Sequence, residues 1–402
     1  MTDGTWLTSG FVDGNYNNAS NWKSGTIPGS TGTGSFGASP NTFIYIGSPS
    51  QVGGWTFVPG ASNYIFTIFS SMQFGGAGIS ISGSQVTLDN KSGLVFLNGS
   101  TAGTSLIINE LSEQIFFDQI SHAGNSTINN SGILNFTDFS SAENATINNL
   151  SKVVFISHST AGGAAINNIA GTVDFSFSSG PSGDGNLTAG SIAGAGTFDL
   201  GGVRLTVGSN NATTNVSGPV DDGGANIGTH GASLVKVGIG TLTLSHAGNT
   251  YSGGTTLERG GLEVAAVGAA GTGDIEFAGK AKLKIDNAAL SSHVFANSID
   301  FFGKTDILDL TGLKFHPGAS ARYHAANEHL RVHSGHVTDI LTLVSPHGTH
   351  FTVANDGHGG TKVVLHPPYV TVTAASLTAH DLGGEPLSTD GASHGGDFLF
   401  TA

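Results

Sequence analysis

Chemistry in this chain would have to come from carboxylates and imidazoles, because its 402 residues include no Cys and only 14 Lys and Arg together. Disulfides, thiolate metal sites and Cys nucleophiles are excluded outright. Glu110, Glu113 and Asp118 lie close together and would suit acid and base work on a sugar chain. That work needs several acids on one strand face, often with an Arg or Lys base beside them. From 76 to 230 the acids are Asp89, Glu110, Glu113, Asp118, Asp138, Glu143, Asp174, Asp184, Asp199, Asp221 and Asp222, and Arg204 is the one Arg. Most are spaced without a matching partner. No Ser, His and Asp set has the setting of an activated nucleophile, so the sequence argues against an enzyme.

The imidazoles are concentrated late, with 12 of 16 His from His293 onward, including His329, His333, His336, His347 and His350. On a strand, His329, Arg331 and His333 share one face. A guanidinium is a poor neighbour for a metal ion, and His336 lies beyond Gly335, where the chain can turn away. A solvated strand face explains these residues as well as a transition-metal patch does. Such a cluster titrates near about pH 6.5 and would offset negative charge in mild acid. Asp356, Gly357, Gly359 and Gly360 offer a tight bend with one carboxylate, a minimal start for calcium. With a single carboxylate, a hairpin turn is the stronger reading, and no other cofactor is implied.

The elements that carry these residues are strands. Charged residues are 10% of the chain, against roughly 25% in an ordinary domain. Gly is 62 of 402, yet 38% hydrophobic residues are interleaved with Ser, Thr and Asn at short intervals, which excludes generic disorder. The net charge of -14 leaves no basic patch for nucleic acid. No window approaches the run of about 18 apolar residues that a membrane helix needs. The opening MTDGTWLTSGFVDGNYNNAS lacks the basic start and apolar run of a Sec signal. The absence of Cys suits export in the unfolded state.

A repeat runs through the first half. Copies begin at Ser100, Ser121, Ser140 and Ser159, with a weaker one around Leu88 and Phe96. Each carries an Ala (Ala102, Ala123, Ala142, Ala161), an Ile (Ile107, Ile128, Ile147, Ile166) and a Phe (Phe117, Phe136, Phe155, Phe175). The last three also carry an Asn pair: Asn129 and Asn130, Asn148 and Asn149, Asn167 and Asn168. One copy is too short to bury an apolar face alone. Stacked as coils about 4.8 Å apart, the copies put Ile on Ile and Phe on Phe. A sandwich of hairpins gives no reason for the same order every 19 or so residues, so the expected fold is all-β, a parallel β-solenoid. The Asn pairs are expected just after a strand, as left-handed turn residues able to bond a stacked neighbour.

From Ala232 the chain reads ASLVKVGIGTLTLSHAGNTYSGGTTLERGGLEV. Leu234, Lys236, Gly238, Gly240, Thr241, Leu242, Leu244, Asn249, Thr250, Tyr251, Gly253, Gly254, Thr255, Thr256, Gly261 and Leu262 resemble the passenger-associated transport repeat of bacterial autotransporter passengers. The upstream SxAxNATINN copies and the Trp-rich opening resemble such passengers too. The resemblance implies a right-handed parallel β-helix at, or released from, a Gram-negative surface. An autotransporter also carries a membrane barrel of about a dozen strands, each of roughly 9 to 11 residues. The stretch after the repeat lacks that alternation, so another export route is expected. The closing Asp397, Phe398, Leu399 and Phe400 resemble the uncleaved signal of type I secretion substrates. Residues 296–366 resemble a module of secreted rhizobial-type proteins that closes on an Asp-Gly-x-Gly-Gly-Thr turn, here Asp356 to Thr361.

The expected organisation is a β-rich cap or module over 1–75, coils of about 19 residues with the transport-type repeat over 76–265, a β-rich module over 266–366 and a tail over 367–402. The expected function is extracellular and structural or adhesive: a surface layer, filament or matrix subunit that self-associates, or a binder of surfaces. The alternative is a carbohydrate-active β-helix enzyme of the polysaccharide lyase type. Ice binding would need sustained Thr-x-Thr rows, which are missing.

Overall fold

Short strands with every second residue apolar recur throughout the chain, and in the computed structural model they wind into one stack of coils. The structure describes residues 2–8, 13–224 and 231–366. Within them the strands form a β-solenoid of about 13 turns. Four sheets line it. The first has eleven strands from Gly4–Thr5 to Val220–Asp221, and the second eight from Phe43–Ile46 to Ser191–Ala193, every neighbour pair parallel. The third begins at Asn186–Ala189 and the fourth at Thr214–Val216, so the new sheets start before the old ones end.

Register explains the repeat. Leu88, Ile107, Ile128, Ile147, Ile166 and Ile192 face one another on successive strands of the second sheet. In the first sheet Phe74, Phe96, Phe117, Phe136, Phe155 and Phe175 stack with ring centroids 5.0, 4.7, 5.0, 5.0 and 4.8 Å apart. All are buried. Each such side chain contributes about 1.5–3 kcal/mol through burial. Ala102, Ala123, Ala142 and Ala161 are buried where single bridges through Thr101, His122, Ser141 and Thr160 form a third side of the coil.

The Asn pairs differ from expectation in their backbone. They are the last two residues of the strands Thr127–Asn130, Thr146–Asn149 and Ala165–Asn168 and are absent from the left-handed set. Asn98, Gln119, Asp138 and Ser157, past the strand that follows, are left-handed instead. Strand alternation therefore sends the second Asn of each pair inward. Asn90, Asn109, Asn130, Asn149 and Asn168 are buried, each amide donating to the next at 2.7, 2.7, 2.8 and 2.8 Å. Unpaired, such an amide would cost about 1–3 kcal/mol; the ladder removes that cost at every rung after the first, where the Asn90 Oδ1 has no partner.

Strand pairing runs through both expected boundaries. Met72–Ile81 crosses residue 75 within one strand, and Gly260–Val264 pairs with Ala281–Ile285 across residue 265. The described residues up to 75 thus belong to the first coils, closed at the outer end by aromatic rings. Trp6 and Trp22 lie 5.2 Å apart, Tyr16 and Trp22 5.1 Å, and Trp55 and Phe66 4.2 Å. At the other end the pairing turns antiparallel: Ser320–His324, His329–Ser334 and Val337–Val344 form a meander, and Phe351–Asn355 pairs with Thr361–Leu365.

Candidate functional site

The motif residues of the transport-type repeat hold neighbouring coils together. Lys236 ends the strand Ser233–Lys236 and is buried. Its ammonium donates to the carbonyls of Val237 (2.6 Å), Gly238 (3.2 Å) and Arg259 (3.3 Å), tying its own corner to that of the following coil. Burial pushes its pKa down to about 8. Asn249 Oδ1 accepts from the Val220 amide at 3.0 Å while its Nδ2 donates to the Ala269 carbonyl at 2.7 Å, so one amide joins the coils on either side. Tyr251 and Thr255 share a buried hydroxyl bond of 2.8 Å. Gly238 has φ +69°, and a Cβ there would stand 2.0 Å from the Gly208 carbonyl. Only glycine fits both demands.

The outer face of the same coils forms a groove of about 700 Å³. Its lining includes Thr241, Gly261, Glu263, Lys282, Lys284 and Asp309, together with Asp286, Thr311, Asp356 and His358. Thr243, Glu263, Lys284 and Asp309 occupy one register row across four strands. Lys284 Nζ pairs with Glu263 Oε1 at 2.7 Å, and Lys282 Nζ with the buried Asp309 at 3.2 Å. Burial pushes the Glu263 carboxyl up, but Lys284 and Thr243 outweigh it and hold the pKa below the ordinary value. Gly261 leaves a notch, since a Cβ there would meet Thr241 Oγ1 at 2.7 Å. An anion in the groove would face Glu263, Asp286, Asp309 and Asp356; a cation would face two ammoniums. A neutral, hydroxyl-bearing ligand meets donors and acceptors together.

Residues 234–264 match the passenger-associated-transport-repeat family model. The chain is a β-helix protein that carries an autotransporter-passenger-type repeat. No curated protein and no solved structure matches it. The repeat is that of a secreted or cell-surface protein.

Elsewhere on this β-helix, Glu110 and Glu113 share one corner, the Glu113 amide donating to the Glu110 carbonyl at 3.1 Å, and a strand separates them from Asp118. Glu110 lies before the strand Gln114–Phe117 and pairs with Lys91 at 3.2 Å. Asp118 lies past its other end and accepts from Thr137 Oγ1 at 2.6 Å. Glu113 immediately precedes the strand, and its carbonyl accepts from the Ile133 amide. His329, Arg331 and His333 share the outward face of His329–Ser334, and Gly335 at φ +65° turns the chain before His336. His333 Nδ1 lies 3.0 Å from Thr338 Oγ1, and His329 Nδ1 lies 3.1 Å from Asn327 Nδ2. His347 and His350 fall on the following loop. Among the described residues no three His, Asp or Glu side chains are placed to hold a metal ion.

Asp356 opens the hairpin turn between Phe351–Asn355 and Thr361–Leu365. Its Oδ1 accepts the amides of His358 (2.7 Å) and Gly360 (2.8 Å), which outweigh desolvation and lower its pKa. That oxygen therefore already serves the turn. Asp397, Phe398, Leu399 and Phe400 lie outside the described residues.

Two constellations escaped the sequence reading. His293 Nδ1 meets the buried Asp339 Oδ1 at 2.8 Å from 46 residues away. Asp174, Asp199 and Asp221, taken from sequence as unmatched, stand in direct register on three adjacent parallel strands. Their spacings of 25 and 22 residues break the 19-residue rule, so only the strand pairing reveals the row.

Proposed function

We propose that this protein is a secreted rod of a Gram-negative cell surface whose work is mechanical or adhesive: a subunit of a layer, filament or matrix, or a binder of surfaces. The observation that carries the reading is the coil-on-coil strand pairing of the four sheets, with a buried core that holds Phe, Ile and Asn ladders over its first half. A core of this kind gives stiffness along the axis, because every coil is bonded to two others. The exterior is low in charge, and the groove beside Lys282 and Lys284 offers a shaped contact surface. Self-association and attachment to other surface components are both served by such a face.

Imaging of producing cells with and without the gene, together with negative-stain microscopy of the purified protein, tests the reading. Protein on the cell exterior, with ordered arrays, fibres or surface attachment that vanish with the gene, is the expected result. Confinement to the cell interior, or release of unsaturated oligosaccharides from an acidic polysaccharide by the purified protein, would replace it with another function, the second with a lyase.

A further inference from the structure

We propose that Asp174, Asp199 and Asp221 form a proton-operated clasp at the end of the first sheet, one that tightens as the surroundings turn acidic. The outward row of this sheet runs Val95, Phe116, Asn135 and Val154 before it becomes three aspartates. Adjacent parallel strands lie about 4.8 Å apart, so three carboxylates sit in line at a spacing where like charges oppose one another.

The outer two are held in place. Asp174 is 2% exposed and accepts from the Ser176 amide at 3.0 Å and hydroxyl at 2.6 Å. Asp221 accepts from Thr250 Oγ1 at 2.8 Å. Asp199, between them, is half-buried. The charged groups that act on it are Asp174 from the strand before, Asp221 from the strand after and Lys152 two strands back. Among the described residues, Gly223 and Gly224 pack over the row: a Cβ at Gly223 would lie 3.5 Å from Asp199 Oδ1, and one at Gly224 3.1 Å from Asp174 Oδ1. The neighbouring Asp222 turns to Ser252 and to the amides of Gly231 and Ala232.

Burial, then the charges of Asp174 and Asp221, push Asp199 up to about 6, while Lys152 works in the opposite direction. The folded pKa therefore lies above the unfolded one of 3.8, and folding takes up a proton between the two. Above about pH 6 the ionised Asp199 weakens the clasp. As pH falls through that value the repulsion is relieved, and the neutral carboxyl can donate its O–H to a neighbouring carboxylate. The clasp lies at the end of the first sheet, where Asp221 closes the last strand pair, so it sets how firmly that last strand is held. It follows from the coil geometry and does not depend on the surface role.

Amide hydrogen exchange on the full chain tests this, read as protection factors for Thr197–Asp199 and Val220–Asp221. In the wild type, protection there should be about tenfold higher at about pH 5 than at about pH 7.5. Asp199→Asn should be protected at both values and lose the pH response. An unchanged response in Asp199→Asn, or none in the wild type, overturns the clasp. Should the variant fail to fold, a carboxyl carbon NMR titration of the wild type decides: a midpoint for Asp199 near 6 supports the clasp, and one at the ordinary aspartate value overturns it.

Discussion

The coils between Tyr64 and Ala193 and those between Ser233 and Val344 build the same kind of stack from different materials. In the first set, like residues lie on like: six Phe rings in one column, five buried Asn amides in another. In the second, Leu242, Leu262, Leu283 and Leu308 still share one row, but the polar cross-coil contacts join unlike groups, with Lys236 to three carbonyls, Asn249 to two flanking coils and Lys284 to Glu263. Equal coil length accounts for the contrast. Where each turn has nearly the same number of residues, one side-chain type can repeat at one place and bond to its own copy. Where coil lengths vary, each junction needs its own donor and acceptor. The Asp174, Asp199 and Asp221 row lies between the two, where register still matches like to like but the like groups repel.

The largest effect that would expose this difference is a cavity in the homogeneous column. Phe136→Ala should cost about 3–5 kcal/mol, since the ring lies fully buried between Phe117 and Phe155 and its neighbours are fixed by strand pairing. Chemical denaturation followed by fluorescence measures it. A cost under about 1 kcal/mol would mean that the coils slide together and that the column is not a rigid unit. Much of this was legible in the sequence, because Ile107, Phe117 and their copies recur at a fixed step and a fixed step in a β-rich chain implies stacking. The inward turn of Asn130 was not legible, since a strand end and a turn start look alike until the pairing of Thr127–Asn130 is known. Asp199 was hidden for the reason given above, and the His293 and Asp339 pair because nothing periodic joins residues 46 apart.

A middle-sized effect should come from Lys236, in the heterogeneous coils. Its pKa is lowered to about 8 by burial, from an ordinary 10.5. The folded state therefore releases a proton that the unfolded chain retains, and stability should rise as pH climbs from about 8 to 10.5. Other groups titrate there too, so the measured quantity is the difference between the wild type and Lys236→Met. That difference should change with pH in this window and stay flat below it. A difference independent of pH would show that the three carbonyls compensate the ammonium fully, and that the buried cation is no weaker a joint than the Asn column.

The smallest effect tests the regular coils at a place where they break their own rule. Gly103, Gly124 and Gly162 hold one corner at φ +62°, +63° and +62°, and in the coil between the last two the same corner is Glu143 at φ +47°. A side chain in that conformation costs up to about 1 kcal/mol relative to glycine, and part of the gain from removing it is offset by the greater freedom of glycine in the unfolded chain. Glu143 also lies 3.5 Å from His122 on an exposed corner, a contact of small value. Glu143→Gly should therefore raise stability by about 0.5 kcal/mol in a denaturant series. A loss instead of a gain would assign Glu143 a bond to its neighbouring coil of the Lys284 and Glu263 kind, and would place one heterogeneous joint inside the homogeneous stack.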